Sequence, residues 1–218
     1  FEVSRPTWDI EIENQDDESG TFDIVIKNIE SKSGVSQIQV PVWCAADQND
    51  IYWYTAQKQK DGSYRVSVSF ANHKYHTGEY TIHTYLTDGN GLTELKGGPK
   101  TKVEEVQAKT TVENVDGEEK EYQITVSNTG VFGDVKEVRF AVWSEENGQD
   151  DIQWINGVET SKGKWTAKAV VNQFKSYGIY YIHIFGTLSN GDQVFLGNTD
   201  FEVSRPTWDI EIENQDDE

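Results

Sequence analysis

The stretch GEYTIH at residues 78–83 returns as GIYYIH at residues 178–183. In the first stretch Tyr80 and Ile82 share one phase of a two-residue period, which predicts a strand with one buried face. A glycine two positions before the tyrosine opens each strand. A tyrosine at that point can return its hydroxyl to the backbone a few residues upstream, as in the tyrosine corner of immunoglobulin-like sandwiches. The stretch therefore predicts a sandwich strand in each half of the chain.

The likeness extends outward from this strand over both halves of the chain. Val42-Trp43 corresponds to Val142-Trp143, and Asn90-Gly91 corresponds to Asn190-Gly191. The repeating unit is therefore about 100 residues long, a size that suits one small domain.

A longer repeat overlies the shorter one. The first 18 residues, FEVSRPTWDIEIENQDDE, recur unchanged at residues 201–218. We therefore expect part of a tandem array, in which neighbouring repeats of the same chain are partners of one another. The expected divisions are a first repeat over 1–104, a second over 105–204, and the first strand of a following repeat over 205–218.

The rest of the sequence has an all-β pattern. Short runs rich in β-branched and aromatic residues are separated by clusters of glycine, asparagine and aspartate. About seven such runs in about 100 residues are typical of an immunoglobulin-like sandwich. The predicted fold is therefore two tandem immunoglobulin-like β-sandwich domains. The strands predicted in the first copy cover 7–14, 21–28, 37–45, 50–57, 63–70, 78–87 and 93–104.

Composition excludes several classes of partner. The chain has 38 acidic and 19 basic residues, a net charge of -19, which argues against binding nucleic acid or anionic lipid. No apolar run approaches 18 residues, so we expect no membrane insertion. The single cysteine, Cys44, corresponds to Ser144, and the chain has no methionine. One cysteine permits neither an internal disulfide nor a cysteine-based zinc site.

Several segments together resemble a known family. In the first copy they are VPVWCAADQNDIYWYTA (40–56), GSYRVSVSFANH (62–73) and GEYTIHTYLTDGNG (78–91). In the second copy they are FAVWSEENGQDDIQWI (140–155) and GIYYIHIFGTLSNG (178–191). These segments resemble the group B streptococcal (GBS) Bsp-like repeat.

The resemblance implies an extracellular, secreted or cell-wall-associated module of Gram-positive bacteria. Repeats of this kind accompany peptidoglycan hydrolase domains or occur in long surface proteins. The family offers no catalytic residues to carry over. The second copy has Trp154-Ile155-Asn156-Gly157 where the first has Trp53-Tyr54-Thr55-Ala56, so a ligand role of Tyr54 does not transfer to it.

Candidate ligand residues follow from the phase of the third and sixth strands. Ile38, Val40 and Val42 share the inward phase of the third strand, so Trp43 points outward. The third and sixth strands are neighbours in an immunoglobulin-like sheet. Flat aromatic faces beside polar groups suit sugar rings, so cell-wall glycan or peptidoglycan is the predicted ligand. The predicted ligand-binding residues are Trp43, Tyr52, His83 and Tyr85 in the first copy and Trp143, His183 and Phe185 in the second.

An alternative places the third-strand tryptophans in the core or in a contact between domains. A β-bulge near Pro41 turns Trp43 inward in that case, and a buried tryptophan on the third strand is common in immunoglobulin domains. Trp53 and Trp154 follow an inward isoleucine in phase, which favours core positions for both.

Metal binding and catalysis receive little support from the sequence. The acidic loops 14–18, 47–50 and 149–151 contain oxygen ligands for Ca²⁺, but none has the spacing of an EF-hand loop, so solvated turns are expected and no cofactor is predicted. Asp50 can cap a turn through the backbone. Of the four histidines only His83 and His183 correspond between the copies, and no Ser, His and Asp constellation recurs. We therefore expect no enzyme activity.

The predicted function is a non-catalytic cell-wall module that positions an attached peptidoglycan hydrolase or adhesin, with glycan bound through the aromatic face. One alternative is a stiff acidic spacer of a surface adhesin that binds nothing itself. Another is adhesion by strand addition at a sheet edge.

Overall fold

The computed structural model describes residues 4–208, and over these residues the chain is all-β with three short 3₁₀ turns. The described chain divides into two compact units. The first unit holds 4–107 with Gly130–Gly133, and the second holds 108–129 and 134–208. The prediction of two tandem immunoglobulin-like sandwiches is confirmed. The strand of a following repeat was predicted over 205–218. Residues 205–208 form no strand, and the rest of this prediction lies outside the described residues.

The first unit is built from two antiparallel sheets. One has the order β1-β2-β6-β5 and the other the order β4-β3-β7-β8, with β9 also paired to β7. A 3₁₀ turn at Phe70–His73 follows β6. The strands are β1 (Thr7–Asp16), β2 (Thr21–Glu30), β3 (Val35–Trp43), β4 (Tyr52–Thr55), β5 (Gln57–Lys58), β6 (Tyr64–Ser69), β7 (Gly78–Asp88), β8 (Thr93–Gly97) and β9 (Thr101–Val103).

The second unit repeats this plan. Its sheets have the orders β10-β11-β15-β14 and β13-β12-β16-β17. 3₁₀ turns lie at Thr129–Phe132 and Val171–Gln173. The strands are β10 (Lys109–Asn114), β11 (Glu121–Ser127), β12 (Val135–Ser144), β13 (Gln153–Asn156), β14 (Val158–Ser161), β15 (Lys164–Val170), β16 (Gly178–Leu188) and β17 (Gln193–Val203).

The core of each unit lies between the inner faces of its two sheets. Apolar residues at every second position of the central strands are buried there, as the two-residue period of a strand requires. Burial of each such side chain contributes about 1.5–3 kcal/mol before chain entropy is subtracted. In the first unit the buried set includes Phe22, Ile24, Ile26, Ile38, Val40, Val42, Val66, Val68, Tyr80, Ile82 and Leu86.

The predicted tyrosine corner is present in both units. The Tyr80 hydroxyl donates a hydrogen bond to the backbone carbonyl of His76 at 2.6 Å. The Tyr180 hydroxyl donates to the carbonyl of Ser176 at 2.5 Å. Both rings are buried, and burial raises the pKa of Tyr180 to about 12. The corner therefore ties the start of β7, and of β16 in the second unit, to the loop before it.

The predicted strand over 50–57 is two strands in the structure. Asp50 and Ile51 lie in the preceding turn, and the chain then forms β4 at Tyr52–Thr55 and β5 at Gln57–Lys58. The two pieces belong to different sheets, because the chain crosses from one sheet to the other at the buried Ala56. This crossing leaves β4 as a four-residue edge strand whose phase is not set by Ile51.

Candidate functional site

The outer surface of the β4-β3-β7-β8 sheet carries a cluster of large side chains. We call it the first aromatic face and define it as Trp43, Trp53, His83, Tyr85 and Leu95. Trp43 meets His83 edge to face, with ring centroids 4.9 Å apart, and the Trp53 and Tyr85 rings lie 5.4 Å apart. Leu95 on β8 stands opposite Tyr85 in the register of the sheet. Edge-to-face and tilted pairs at these distances stabilise one another.

The β13-β12-β16-β17 sheet of the second unit carries the matching cluster. The second aromatic face consists of Trp143, Trp154, His183, Phe185 and Phe195. The centroids of Trp143 and His183 are 4.8 Å apart, and those of Trp154 and Phe185 are 5.7 Å apart. The ring centroid of Phe195 lies 5.6 Å from that of His183 and 5.5 Å from that of Phe185. The same two ring pairs therefore occur at the same positions of both units.

The third-strand tryptophans lie on the outer side of their sheets, and the bulge alternative for Trp43 is wrong. Gln39 stands opposite Tyr85 and Val42 opposite Ile82, so the register of β3 on β7 is unchanged across Pro41. Trp43 is half-buried under its neighbours.

Trp143 is covered more completely than Trp43. It is only 8% exposed, because Tyr181 stands opposite it with ring centroids 5.8 Å apart. In the first unit the residue opposite Trp43 is the smaller Thr81. Trp43 and Trp143 are therefore the more covered tryptophans of the two faces, and Trp53 and Trp154 are the more exposed ones.

The prediction that Trp53 and Trp154 are core residues is wrong. Trp53 is 50% exposed and Trp154 is 48% exposed. Their cross-strand partners are Pro41 and Ala141, which occupy the outward phase of the third strand. Cross-strand partners share a face, so both tryptophans point outward.

Tyr52 lies on the other side of β4 from the first aromatic face. Its ring approaches those of Tyr54, at 4.7 Å, and His73, at 6.4 Å. His73 is a buried residue between the sheets. Because successive residues of a strand point to opposite faces, Tyr52 cannot share the surface of Trp53. The prediction that Tyr52 extends the platform is therefore wrong, and Trp53 occupies that position.

A buried polar network closes the end of the first sandwich beside β4. The Tyr54 hydroxyl lies 2.9 Å from His73 Nε2, and His73 Nδ1 lies 3.0 Å from the Asp50 carbonyl oxygen. Burial lowers the pKa of His73, so its ring is neutral near pH 7, and burial raises the pKa of Tyr54 to about 12. The network therefore holds two neutral side chains in fixed positions.

The Asp50 side chain caps the end of β3. Its carboxylate accepts hydrogen bonds from the backbone N–H groups of Cys44 and Ala45 and lies 3.0 Å from His76 Nδ1. Burial acts to raise the pKa of Asp50, but these donors outweigh burial and hold the pKa below its usual value. Asp50 is therefore ionised and structurally engaged.

Asp151 has the same role in the second unit. It accepts hydrogen bonds from the N–H and hydroxyl of Ser144 and from the N–H of Lys175. These donors outweigh burial and lower the pKa of Asp151. Among the described residues no three His, Cys, Asp or Glu side chains cluster as a metal site requires. The best-placed acids of the two loops thus serve as backbone caps.

Cys44 has the surroundings of an unreactive thiol. Burial and then the negative charge of Asp50 raise its pKa, which keeps the sulfur protonated near neutral pH. The sulfur lies 3.4 Å from the Thr77 carbonyl oxygen. A protonated thiol is a poor nucleophile, so this cluster is not arranged for covalent catalysis.

A cleft of about 620 Å³ also lies in the second unit, lined by parts of 118–120, 170–177 and 203–206. Glu119 on its wall accepts hydrogen bonds from the backbone N–H and hydroxyl of Ser204. The cleft shares no lining residue with the second aromatic face. It therefore adds nothing to the surface that recurs in both units.

Residues 11–101 and 111–201 each match the GBS Bsp-like repeat. The chain belongs to the GBS Bsp-like repeat family. The resemblance noted in the sequence is thus confirmed for both copies, and each match falls within one copy of the 100-residue repeat. No curated protein matches the chain. No helix among the described residues of this Bsp-like protein is long and apolar enough to cross a membrane.

Three solved structures are similar to this Bsp-like chain at low identity. A polysaccharide deacetylase from Bacillus cereus is 17% identical over 44% of this chain and 30% of its own, with a TM-score of 0.37. A tetra-tandem repeat from the extending region of a large adhesion protein is 13% identical over 91% and 50%, with a TM-score of 0.36. The FN1-FN3 domains of chicken CNTN1 are 13% identical over 85% and 60%, with a TM-score of 0.35. The chain thus spans 30–60% of the length of these structures.

The most exposed apolar side chains of the two faces were not predicted from the sequence. Trp53, Trp154, Leu95 and Phe195 are all more than one third exposed. A signal for Trp53 was present, since Pro41 lies in the outward phase of the third strand and pairs with it. Leu95 and Phe195 required the register of the sixth and seventh strands, which the sequence does not provide.

Proposed function

We propose that this Bsp-like pair is a non-catalytic module that binds cell-wall glycan through the first and second aromatic faces. The observation that carries the proposal is the placement of Trp53 and Trp154. Each is about half exposed and occupies the equivalent position in its own unit. Each packs against an aromatic ring, Trp53 against Tyr85 on β7 and Trp154 against Phe185 on β16. Contiguous exposed apolar side chains are common at interaction sites, which supports the proposal.

A sugar polymer is the ligand that suits these faces. The apolar C–H side of a pyranose ring packs on an indole or phenol ring, and the polar groups at its rim need hydrogen-bond partners. His83 and His183 supply such groups beside the rings, as does the Tyr85 hydroxyl. Because the rings lie on the outer surface of a sheet, a chain-like ligand can lie across them without threading into a cavity.

The remaining chemistry of the chain supports a role without catalysis. The buried His73 is neutral and held by Tyr54, and the Asp50 and Asp151 carboxylates are occupied as caps. Cys44 is protonated and corresponds to a serine in the second copy. A binding module needs none of these groups to be reactive.

Repetition strengthens a weak site. Two faces on one chain act at a high effective concentration for a polymeric ligand, so that overall affinity exceeds that of either face. In this proposal the module is extracellular and positions an attached peptidoglycan hydrolase or adhesive domain at the wall of a Gram-positive cell. The net charge of -19 keeps such an array soluble.

Co-sedimentation with purified Gram-positive cell walls tests the proposal. The wild-type chain is expected in the pellet, and the double variant Trp53→Ala, Trp154→Ala in the supernatant. Because both side chains are half-exposed, each truncation should change the free energy of unfolding by only about 1 kcal/mol. Circular dichroism and thermal melting establish that the variant is folded.

Trp208→Ala is the matched control. Trp208 is 74% exposed and belongs to neither face, so its removal deletes an equal ring without touching the proposed site. This control is expected in the pellet. Wild-type protein that stays in the supernatant contradicts the proposal and favours a spacer that binds nothing itself. Equal loss of binding in the control and the double variant shows nonspecific adhesion.

A further inference from the structure

The two aromatic faces differ in charge at one position. Arg139 on β12 stands where β3 has Gln39, and both side chains are exposed. The guanidinium carbon of Arg139 lies 4.8 Å from the centroid of the Trp154 ring. A guanidinium at this distance is attracted by the ring and is held in place by it. The second face therefore carries a positioned positive charge that the first face lacks.

Arg139 is also unusual among the arginines of the chain. The other three, Arg5, Arg65 and Arg205, each form an ion pair with a carboxylate. Within the described residues Arg139 forms none, although acids outnumber bases two to one in the sequence. Glu137, two residues earlier on the same strand, does not pair with it. Among residues 4–208 no carboxylate occupies this guanidinium, so it can bind the carboxylate of a ligand.

The surroundings of Arg139 indicate what that ligand is. Phe185 stands directly opposite Arg139 on β16, and Phe195 lies 5.5 Å from Phe185. The site thus combines a cation, an indole and two phenyl rings on one open surface. A sugar that carries a carboxylate satisfies both parts, because its ring packs on the aromatic side chains and its carboxylate accepts two hydrogen bonds from the guanidinium.

We propose that the second aromatic face selects a carboxylate-bearing sugar, with Arg139 holding the carboxylate beside the ring that Trp154 and Phe185 support. This inference rests on the proposed function and adds the class of sugar. The net charge of the chain does not oppose it at short range, since charges beyond about 8 Å are largely screened at physiological salt. The first face, with Gln39, has no such preference.

Isothermal titration calorimetry with two matched tetrasaccharides tests the selectivity of the second aromatic face. One is β-1,4-linked N-acetylglucosamine, and the other is a peptide-free peptidoglycan tetrasaccharide of the same linkage, in which every second sugar carries a lactyl carboxylate. In the full chain, Trp53→Ala is used to remove binding by the first face, so that the titration measures the second face alone. We expect this chain to bind the carboxylated probe roughly ten-fold more tightly, as charge-assisted hydrogen bonds allow. The preference should decrease as salt is raised.

Arg139→Gln in the same background gives the second face the residue of the first and is expected to abolish the ten-fold preference. Arg139→Lys should keep part of it, because the charge remains but the paired donors are lost. In the Trp154→Ala background, Gln39→Arg is expected to give the first face a preference that it did not have.

The outcomes separate the two proposals. If the wild-type chain binds neither tetrasaccharide, the proposed function and this inference are both overturned. If the Trp53→Ala chain binds both probes equally, and Arg139→Gln changes neither affinity, glycan binding stands and the selectivity is overturned.

Discussion

Replacing Tyr80 with phenylalanine removes one hydroxyl and keeps a ring that packs against Phe22 at 5.5 Å. The lost hydrogen bond is the 2.6 Å contact with the His76 carbonyl, which is left without that donor. Removing one partner of such a bond costs about 1–3 kcal/mol. For a domain of about 100 residues, a cost of about 2 kcal/mol lowers the melting temperature by on the order of 10 °C.

Urea unfolding combined with amide hydrogen exchange measures this cost. Exchange resolved by peptide assigns the loss of protection to the first unit, and Tyr180→Phe should produce the same loss in the second. Tyr85→Phe is the matched control, because the Tyr85 hydroxyl has no hydrogen bond within the described residues and its counterpart is Phe185. If Tyr80→Phe is as stable as Tyr85→Phe, the hydrogen bond of the corner does not stabilise the sandwich.

Three further outcomes follow from the buried polar groups. Asp50→Asn and Asp151→Asn should each destabilise their unit by about 1–3 kcal/mol. Because folding lowers the pKa of each carboxyl, the stabilisation by the wild-type carboxylates is present above about pH 4 and is lost as the pH falls through the lowered pKa. Melting temperatures of the wild type measured from pH 7 to pH 2 test this loss. Trp8→Phe should cost the first unit about 1–3 kcal/mol in chemical denaturation, because the indole donates a 2.9 Å hydrogen bond to a threonine hydroxyl on β7. Cys44 should react with an aromatic disulfide reagent at pH 7 more slowly than a free thiol, and Cys44→Ser, which installs the residue found at Ser144, should melt within a few degrees of the wild type.

β7 could be predicted from the sequence because the residues that define it are close together in the chain. Tyr80 and Ile82 alternate over a long central strand, and a glycine marks its beginning, so strand, phase and corner all followed from one stretch. The repeat in the second half added an independent copy of the same pattern. Long strands that are buried on one face carry a phase that one mistaken residue cannot shift.

The fourth strand could not be predicted because it is short and lies at an edge. Its phase depends on where the turn after Asp50 ends, and Ile51 belongs to that turn. A shift of one residue exchanges the two faces of a strand, so Tyr52 and Trp53 were assigned to each other's surfaces. Burial of Trp143 also depended on Tyr181 across the sheet, a contact that only the register reveals.

The charge at Arg139 illustrates a third limit. Its residue type was visible in the sequence, but its position over Trp154, and the lack of an ion pair to any carboxylate of the described chain, depend on side-chain placement. The third and sixth predicted strands are neighbours in the structure, as β3 and β7, but the sequence did not identify every aromatic residue on their outer surface and placed Tyr52 there wrongly. Whether the faces bind glycan stays a prediction.

The most direct test of that claim is the set of indole N–H signals in a nuclear magnetic resonance titration of the wild-type chain with the peptidoglycan tetrasaccharide. We expect the signals of Trp53 and Trp154 to move with the sugar concentration, and those of the buried Trp8 and Trp165 to stay in place. If the signals of Trp53 and Trp154 do not move at the highest sugar concentration, the two aromatic faces do not bind this glycan.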